Sequence, residues 1–244
     1  MQKYFVSKED FNLNQITGED CHHIKNVMRY TSGDEILVSD DNSEVLAVLV
    51  SVDANICKYM VKMAIQNNSE LPFLIDLYQG YPKGDKLEEI IKHSTELGVS
   101  NIIAVLSKRS VIKLDSKKKE SKLERFNKIV KEASEQSHRK KLSHVLDIKE
   151  LKNIDFSEYD KKIICYEEDA KNNESSNFKR IVKSLKPNDK ICVFIGPEGG
   201  IDLSEVEYLK SQGFESCGLG PRILRTETAI EYVLSAISYE WELK

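Results

Sequence analysis

The sequence predicts an α/β protein with a mainly parallel sheet, preceded by a small all-β domain. Three observations predict it. From residue 73 onward, short apolar runs alternate with amphipathic helical stretches, the pattern that gives a parallel sheet covered by helices. Before residue 66, strand-like runs follow one another with turn residues between them. Near the C-terminus, two glycine-bearing loops each follow an apolar run and lead into a helical pattern: FIGPEGGIDLSE (194–205) and GLGPRILRTETA (218–229). Such repeated strand–loop–helix units build one ligand pocket at the carboxyl ends of neighbouring strands.

Taken in order, DCHHIKNVMRY (20–30) reads as a short helical piece. Strands follow at 35–39, 45–52 and 59–65, with DDNS (40–43) as a hairpin turn, giving a small barrel or sandwich over 1–70. QNNSELP (66–72) is polar, ends in proline and reads as the linker. FLIDLYQ (73–79) is a buried strand. KGDKLEEIIKHSTELG (83–98) is a helix with Leu87, Ile90, Ile91, Ser94 and Leu97 on one face and Gly98 at its end. NIIAVL (101–106) is a strand, 121–137 a helix, 161–166 a strand and EEDAKNNESSN (167–177) a polar loop. A helix over 178–185 leads to the strand KICVFI (190–195). A second strand, FESCG (214–218), precedes the closing helix at 227–240. Asp202 followed by Glu205 is a capping-box signal for the helix after the first glycine loop. The second domain therefore spans 73–244.

The chain has 244 residues, 40% of them hydrophobic, enough for a real core. No apolar run approaches the roughly 20 residues of a membrane span, and the N-terminus lacks a signal-peptide core. Five scattered cysteines without C-x-x-C spacing argue against a disulfide framework or a zinc site, and for a reduced, cytoplasmic protein without a metal. The net charge is -4, but it is segregated. Residues 108–144 carry 13 Lys and Arg against 5 Asp and Glu, a balance of +8, whereas residues 1–70 carry 6 against 11. A basic segment on an acidic chain is a footprint for a polyanion; a solvated lysine-rich helix face is the plainer reading.

The dinucleotide fingerprint, the P-loop and the nucleophile elbow are all absent. His22 and His23 have no third ligand at metal spacing. Lys83, Gly84 and Lys86 open a helix, where backbone amides attract phosphate. Gly-Pro-Glu-Gly-Gly alone reads equally as a turn. The charges of Arg222, Arg225 and Glu227 around the second loop shift that reading toward a site.

KGDKLEEIIKHSTELGVSNIIAVLSKRSV (83–111), EQSHRKK (135–141), FIGPEGG (194–200), LGPRILRTETA (219–229) and HHIKNVMRY (22–30) together resemble the ribosomal RNA small subunit methyltransferase E family. That family belongs to the SPOUT, or trefoil-knot, class, and the resemblance covers most of the chain. It implies a PUA-like N-terminal β-barrel, a knotted C-terminal domain and a homodimer. It implies S-adenosylmethionine as cofactor, 16S ribosomal RNA or the small ribosomal subunit as partner, and N3-methyluridine as product. The two glycine loops would be threaded together around the cofactor. Contacts would come from Tyr166 or Glu167, and from Ile195, Gly196, Gly200, Leu219, Gly220, Ile223 and Leu224. The chain departs from the family pattern at His138, where glycine is usual, and in its acidic N-terminal domain.

For the chemistry that the resemblance implies, the N3 proton must leave and the resulting charge must be stabilised. Arg225 is the candidate for anion stabilisation or phosphate positioning, because a guanidinium stays charged. Glu227 and Glu96 compete as bases. Lys25, Arg29, Arg109, Arg139 and Lys140 are candidate RNA contacts, and His138 is a candidate stacking residue. Two other readings stay open: a SPOUT enzyme acting on a ribose 2′-hydroxyl or another base, and a non-catalytic RNA-binding or assembly factor.

Overall fold

The computed structural model describes residues 1–110, 112, 114–168 and 176–243. They form two compact units, Met1–Glu70 with Ser134–Leu142, and Leu71–Ala133 with Ser143–Lys244. In the first unit the elements are β1 (Lys3–Phe5), α1 (Lys8–Asn12), β2 (Gln15–Thr17), α2 (Gly18–His22), a π-helical turn (His23–Val27), β3 (Glu35–Ser39), β4 (Glu44–Val52) and β5 (Ile56–Ala64). The sheet order is β1-β3-β4-β5-β2, with β1 parallel to β3 and the other pairs antiparallel. Register shifts at Leu46/Ala47 and Leu49/Ser51 add twist where β4 meets β5. Tyr4, Ile16, Ile24, Ile36, Val38, Ala47 and Leu49 close the core beneath.

The three longer strands answer to the sequence reading. The helical piece ends at Val27 rather than residue 30, because Arg29 turns left-handed at φ 56°. The short strands β1 and β2 and the helix α1 carry no periodic signal, and the sequence reading passed over them. The residue that hides β1 is Lys3, which is fully buried. Its Nζ donates to Glu44 Oε2 at 2.8 Å and to the Arg139 carbonyl at 2.5 Å. Phe5 N–H donates to Glu135 Oε1 at 2.8 Å, and Asn67 Nδ2 bonds both Glu44 and the His138 carbonyl. Glu70 accepts from Arg139 Nη2 at 2.5 Å and from the Lys140 and Lys141 amides. These bonds fix 134–142 within this unit.

The second unit contains β6 (Leu74–Gly80), α3 (Lys86–Glu96), β7 (Asn101–Leu106), α4 (Ser116–Gln136), β8 (His144–Glu150), β9 (Lys161–Cys165), α5 (Ser176–Ser184), β10 (Lys190–Ile195), α6 (Leu203–Ser211), β11 (Glu215–Cys217) and α7 (Thr226–Glu242). Three last residues of α4 cluster with the first unit. The six strands run β11-β9-β10-β6-β7-β8, and all five pairings are parallel. The inner strands are apolar because both faces are covered; Ile191, Cys192, Val193 and Phe194 are all fully buried. The alternation expected from the sequence is present. Helix α4 starts at residue 116, five earlier than expected, and β8 is an additional strand. Part of the polar loop at 167–177 lies outside the described residues. The Asp202–Glu205 capping box forms at the start of α6.

Burial works to raise the Glu70 carboxyl. The Arg139 guanidinium and the Lys140 and Lys141 amides overcome it and hold the group below the usual carboxylate range. A depressed folded-state value means that the stabilisation is present above the ordinary value and lost as pH falls through the folded one. Arg139→Met is therefore expected to cost roughly 3 kcal/mol in denaturant unfolding at neutral pH, the lower end for a broken buried pair. The stability gap between wild type and Glu70→Gln should narrow as pH drops from about 6 to about 3.

Candidate functional site

Strands β9, β10 and β11 end side by side, and a cavity of about 390 Å³ opens beyond their carboxyl ends. Its lining takes Cys165 at the end of β9 with Tyr166 and Glu167 beyond it, Ile195 at the end of β10 with Gly196 through Glu198, Gly200 and Ile201 beyond it, and Cys217 at the end of β11 with Leu219 beyond it. Arg222 through Thr226 and Ala229 supply another wall, and Lys86 comes from the first turn of α3. Both glycine loops thus face one space. Gly220 lies beside it, lining a neighbouring cavity with Leu219.

A buried amide ties these segments together. Gln79, at the end of β6, is fully buried. Its Nε2 donates to Thr226 Oγ1 at 2.8 Å and to the Gly80 carbonyl at 2.9 Å, with the Gly196 carbonyl at 3.4 Å. Thr226 Oγ1 in turn donates to the Gly196 carbonyl at 2.7 Å. The surrounding carbonyls are acceptors, so the amide must present its nitrogen to them. Close approach excludes side chains at this point. A Cβ on Gly80 would meet Pro197 Cδ at 2.5 Å, and one on Gly196 would meet Ile201 Cγ1 at 2.7 Å. Gly200 needs its positive φ of 71°.

The rim is charged. Lys86 Nζ lies 3.3 Å from Glu198 and 3.7 Å from Glu227. Burial works to raise the Glu198 carboxyl, but its own and the Lys83 backbone amides and the Lys86 ammonium hold it below the usual range. Arg109 Nη1 donates to the Gly199 carbonyl at 2.6 Å, so this arginine lies against the first glycine loop. Arg225 is exposed and stands at the N-cap of α7 with no side-chain cap bond.

Some sequence-selected residues do not join this site. Glu96 is exposed at the end of α3, away from the cavity lining. Arg139 is 4% exposed in its side chain and committed to Glu70, which corrects its reading as a surface contact for RNA. Lys140 is half-buried, and its amide is bound by Ser69 and Glu70. Lys25, Arg29 and His138 are exposed. His138 holds a left-handed φ of 55°, which explains why glycine suits this position. Sequence reasoning missed Gln79 and the roles of Lys86 and Glu198 at the rim. Gln79 carried one signal, an amide at the end of a strand that the sequence reads as buried. Among the described residues, no group of three or more His, Cys, Asp or Glu is placed to hold a metal ion, and no helix is long and apolar enough to cross a membrane.

Comparison with known proteins follows the same division. An RNA methyltransferase domain family matches residues 69–238, and an RNA methyltransferase PUA domain family matches 16–58. The chain is 44% identical to ribosomal RNA small subunit methyltransferase E of Bacillus subtilis, covering 100% of this chain and 98% of the relative. It is 30% identical to the enzyme of the same name from Synechocystis, covering 91% and 72%. The crystal structure of a hypothetical protein superposes with a TM-score of 0.91 at 42% identity, over 99% of both chains. That of a Neisseria gonorrhoeae ribosomal RNA small subunit methyltransferase E bound to S-adenosyl methionine superposes with a TM-score of 0.81 at 26% identity, over 99% and 98%.

Thr226→Val keeps the side-chain shape but removes one donor and one acceptor from the Gln79 network. Leaving buried partners unmet is expected to cost about 1–3 kcal/mol. Calorimetry should show the melting temperature falling by roughly 2–4 °C for each kcal/mol lost.

Proposed function

We propose that this chain, which belongs to the ribosomal RNA small subunit methyltransferase E family, transfers a methyl group from S-adenosylmethionine to N3 of a uridine in 16S ribosomal RNA, as a homodimer. One observation carries the reading: both glycine loops line a single cavity at the carboxyl ends of parallel strands. Its volume lies within the range of about 300–1,000 Å³ typical of small-molecule sites. The fold is the α/β arrangement of the SPOUT class with a PUA-like first unit.

The residues present fit the cofactor. Gly196 and Gly200 leave main-chain groups uncovered where a side chain would collide or strain, a cradle for a nucleoside edge. Backbone groups of Ile195, Gly196, Gly200, Leu219, Gly220 and Leu224 would hold it, with the side chains of Tyr166, Glu167 and Ile223 around it. When bound, S-adenosylmethionine supplies an electrophilic methyl group on a sulfonium.

The chain's own residues have the remaining tasks. A uridine N3 carries a proton that must leave before its electron pair is available. Glu227, in the first turn of α7 and ion-paired with Lys86, is the carboxylate that takes this proton. Neither Glu227 nor Glu96 lines the cavity; Glu227 is favoured because it pairs with the lining residue Lys86. The exposed Arg225 guanidinium stands at the cavity wall and meets the charge that develops on the base or the adjoining phosphate. Lys25 and Arg29 in the first unit, and exposed cations of α4, contact the RNA backbone.

The test is methylation of small ribosomal subunits with labelled S-adenosylmethionine, followed by nucleoside analysis. The expected product is N3-methyluridine in the small-subunit RNA. Arg225→Ala should lower the rate about 100-fold or more, the scale of losing one charge-stabilising donor. Label on a ribose would discard the target. Gly196→Ala should weaken cofactor binding measured by calorimetry at least tenfold, because the new Cβ displaces Ile201 and the Gly200 backbone.

A further inference from the structure

Lys86 occupies a position that local physics disfavours. It is the first residue of α3, where the positive end of the helix dipole repels a cation. The helix carries its acidic residues one turn on, at Glu88 and Glu89, as the dipole prefers. A lysine at this point costs stability unless something outside the helix holds it. Two carboxylates do so, and they come from separate segments: Glu198 from the first glycine loop at 3.3 Å and Glu227 from the first turn of α7 at 3.7 Å. Glu198 is itself fixed, accepting the Lys83 amide at 3.1–3.2 Å. The carboxylates bracket the ammonium, whose side chain stays 38% exposed and lines the cavity. An ammonium has three N–H donors. Among the described residues two carboxylates pair with it, which leaves donor capacity for a ligand oxygen.

We infer that Lys86 is a further catalytic residue of this site, its ammonium meeting the negative charge that develops on a carbonyl oxygen of the target base, with Glu198 as its positioning residue. The inference rests on the uridine-N3 reading above. In that reaction the N3–H bond breaks and the proton passes to a Glu227 carboxylate oxygen. The N3 electron pair forms the new bond to the methyl carbon as the carbon–sulfur bond breaks and the sulfonium becomes a neutral thioether. While the N3 proton is leaving, charge spreads onto the two flanking carbonyl oxygens, and a fixed cation there lowers the barrier. Lys86 and Glu227 then act as a pair, acceptor and cation side by side. Glu227 Oε2 is buried with no hydrogen-bond partner among the described residues, so this oxygen is not committed to another group.

The test compares wild type, Lys86→Met, Lys86→Arg and Glu198→Gln in single-substrate kinetics on small ribosomal subunits. The binding constant of S-adenosylhomocysteine and the melting temperature are measured for each. For Lys86→Met the expected result is kcat lowered about 100-fold. KM for the RNA and the S-adenosylhomocysteine affinity should stay within about threefold of wild type. Lys86→Arg should recover at least a tenth of the lost rate, and Glu198→Gln should lose about tenfold in kcat. A folded Lys86→Met protein with kcat within threefold of wild type overturns the inference and leaves the uridine reading standing. A loss confined to cofactor affinity or RNA KM also overturns it, making Lys86 a binding residue. Wild-type enzyme that yields no N3-methyluridine overturns both.

Discussion

The buried amide of Gln79 is the constraint on which the cavity depends. It lies where water cannot reach, so its donors must find partners in the protein. Those partners are the ends of three segments distant in sequence: Gly80 closing β6, Gly196 opening the first glycine loop and Thr226 opening α7. Satisfying one side chain therefore fixes where two loops begin. The close contacts around Gly80 and Gly196 follow from the same requirement, because the carbonyls must approach the amide. The Gln79 Oε1, buried without a partner among the described residues, is a cost carried by this arrangement. A stability cost located beside a ligand cavity is the kind of local inconsistency that functional sites retain.

The electrostatics of the rim follow the same logic. Lys86 and Arg225 both stand at helix N-termini, where a positive side chain opposes the dipole. Neither is placed there for helix stability. Lys86 is offset by two carboxylates, whereas Arg225 faces outward and is available to a negatively charged ligand. Arg109 caps the outer side of the first loop through the Gly199 carbonyl. The Asp202–Glu205 capping box anchors the loop's far end, with Glu205 also accepting the Lys108 amide at 2.8 Å. The loop is thus held at both ends and along one side, and a loop ordered beforehand loses less entropy when a site binds a ligand.

What the sequence made legible was local. The capping box, the glycine loops and the apolar inner strands each carry their signal within about ten residues, and the structure places them together. The strand β8 was not legible because it is irregular. A register shift at Ile102/Ile103 separates its buried residues Val145 and Ile148 by three positions, which destroys the alternation of a strand. Lys3 hid β1 for a different reason. A charged residue reads as exposed until Glu44 and the Arg139 carbonyl, 41 and 136 residues away, appear beside it. Two of the partners of Gln79, Gly196 and Thr226, are equally remote, 117 and 147 residues away. In the candidate site, the residues that line the cavity were readable from the loops, while Gln79, which holds the loops, was not.

The basic segment shows how far a charge count can be carried. Its balance of +8 treats every cation as equivalent. The structure separates them by how exchangeable their partners are. Lys108, Lys118 and Arg125 pair with Asp202, Asp115 and Glu88 while their own side chains stay 61%, 71% and 64% exposed. Exposed pairs contribute little and are screened by salt, so a phosphate can replace the carboxylate at small cost. Arg139 is different: at 4% exposure its guanidinium cannot leave Glu70 without stranding a buried charge. Salt dependence of RNA affinity reports counterions released from phosphates as cations bind them. The slope should therefore follow the exposed cations of α4 and the loop before it, and the buried arginine should contribute to folding alone. Charge in the sequence sets an upper bound on the footprint, and burial decides how much of it reaches the nucleic acid.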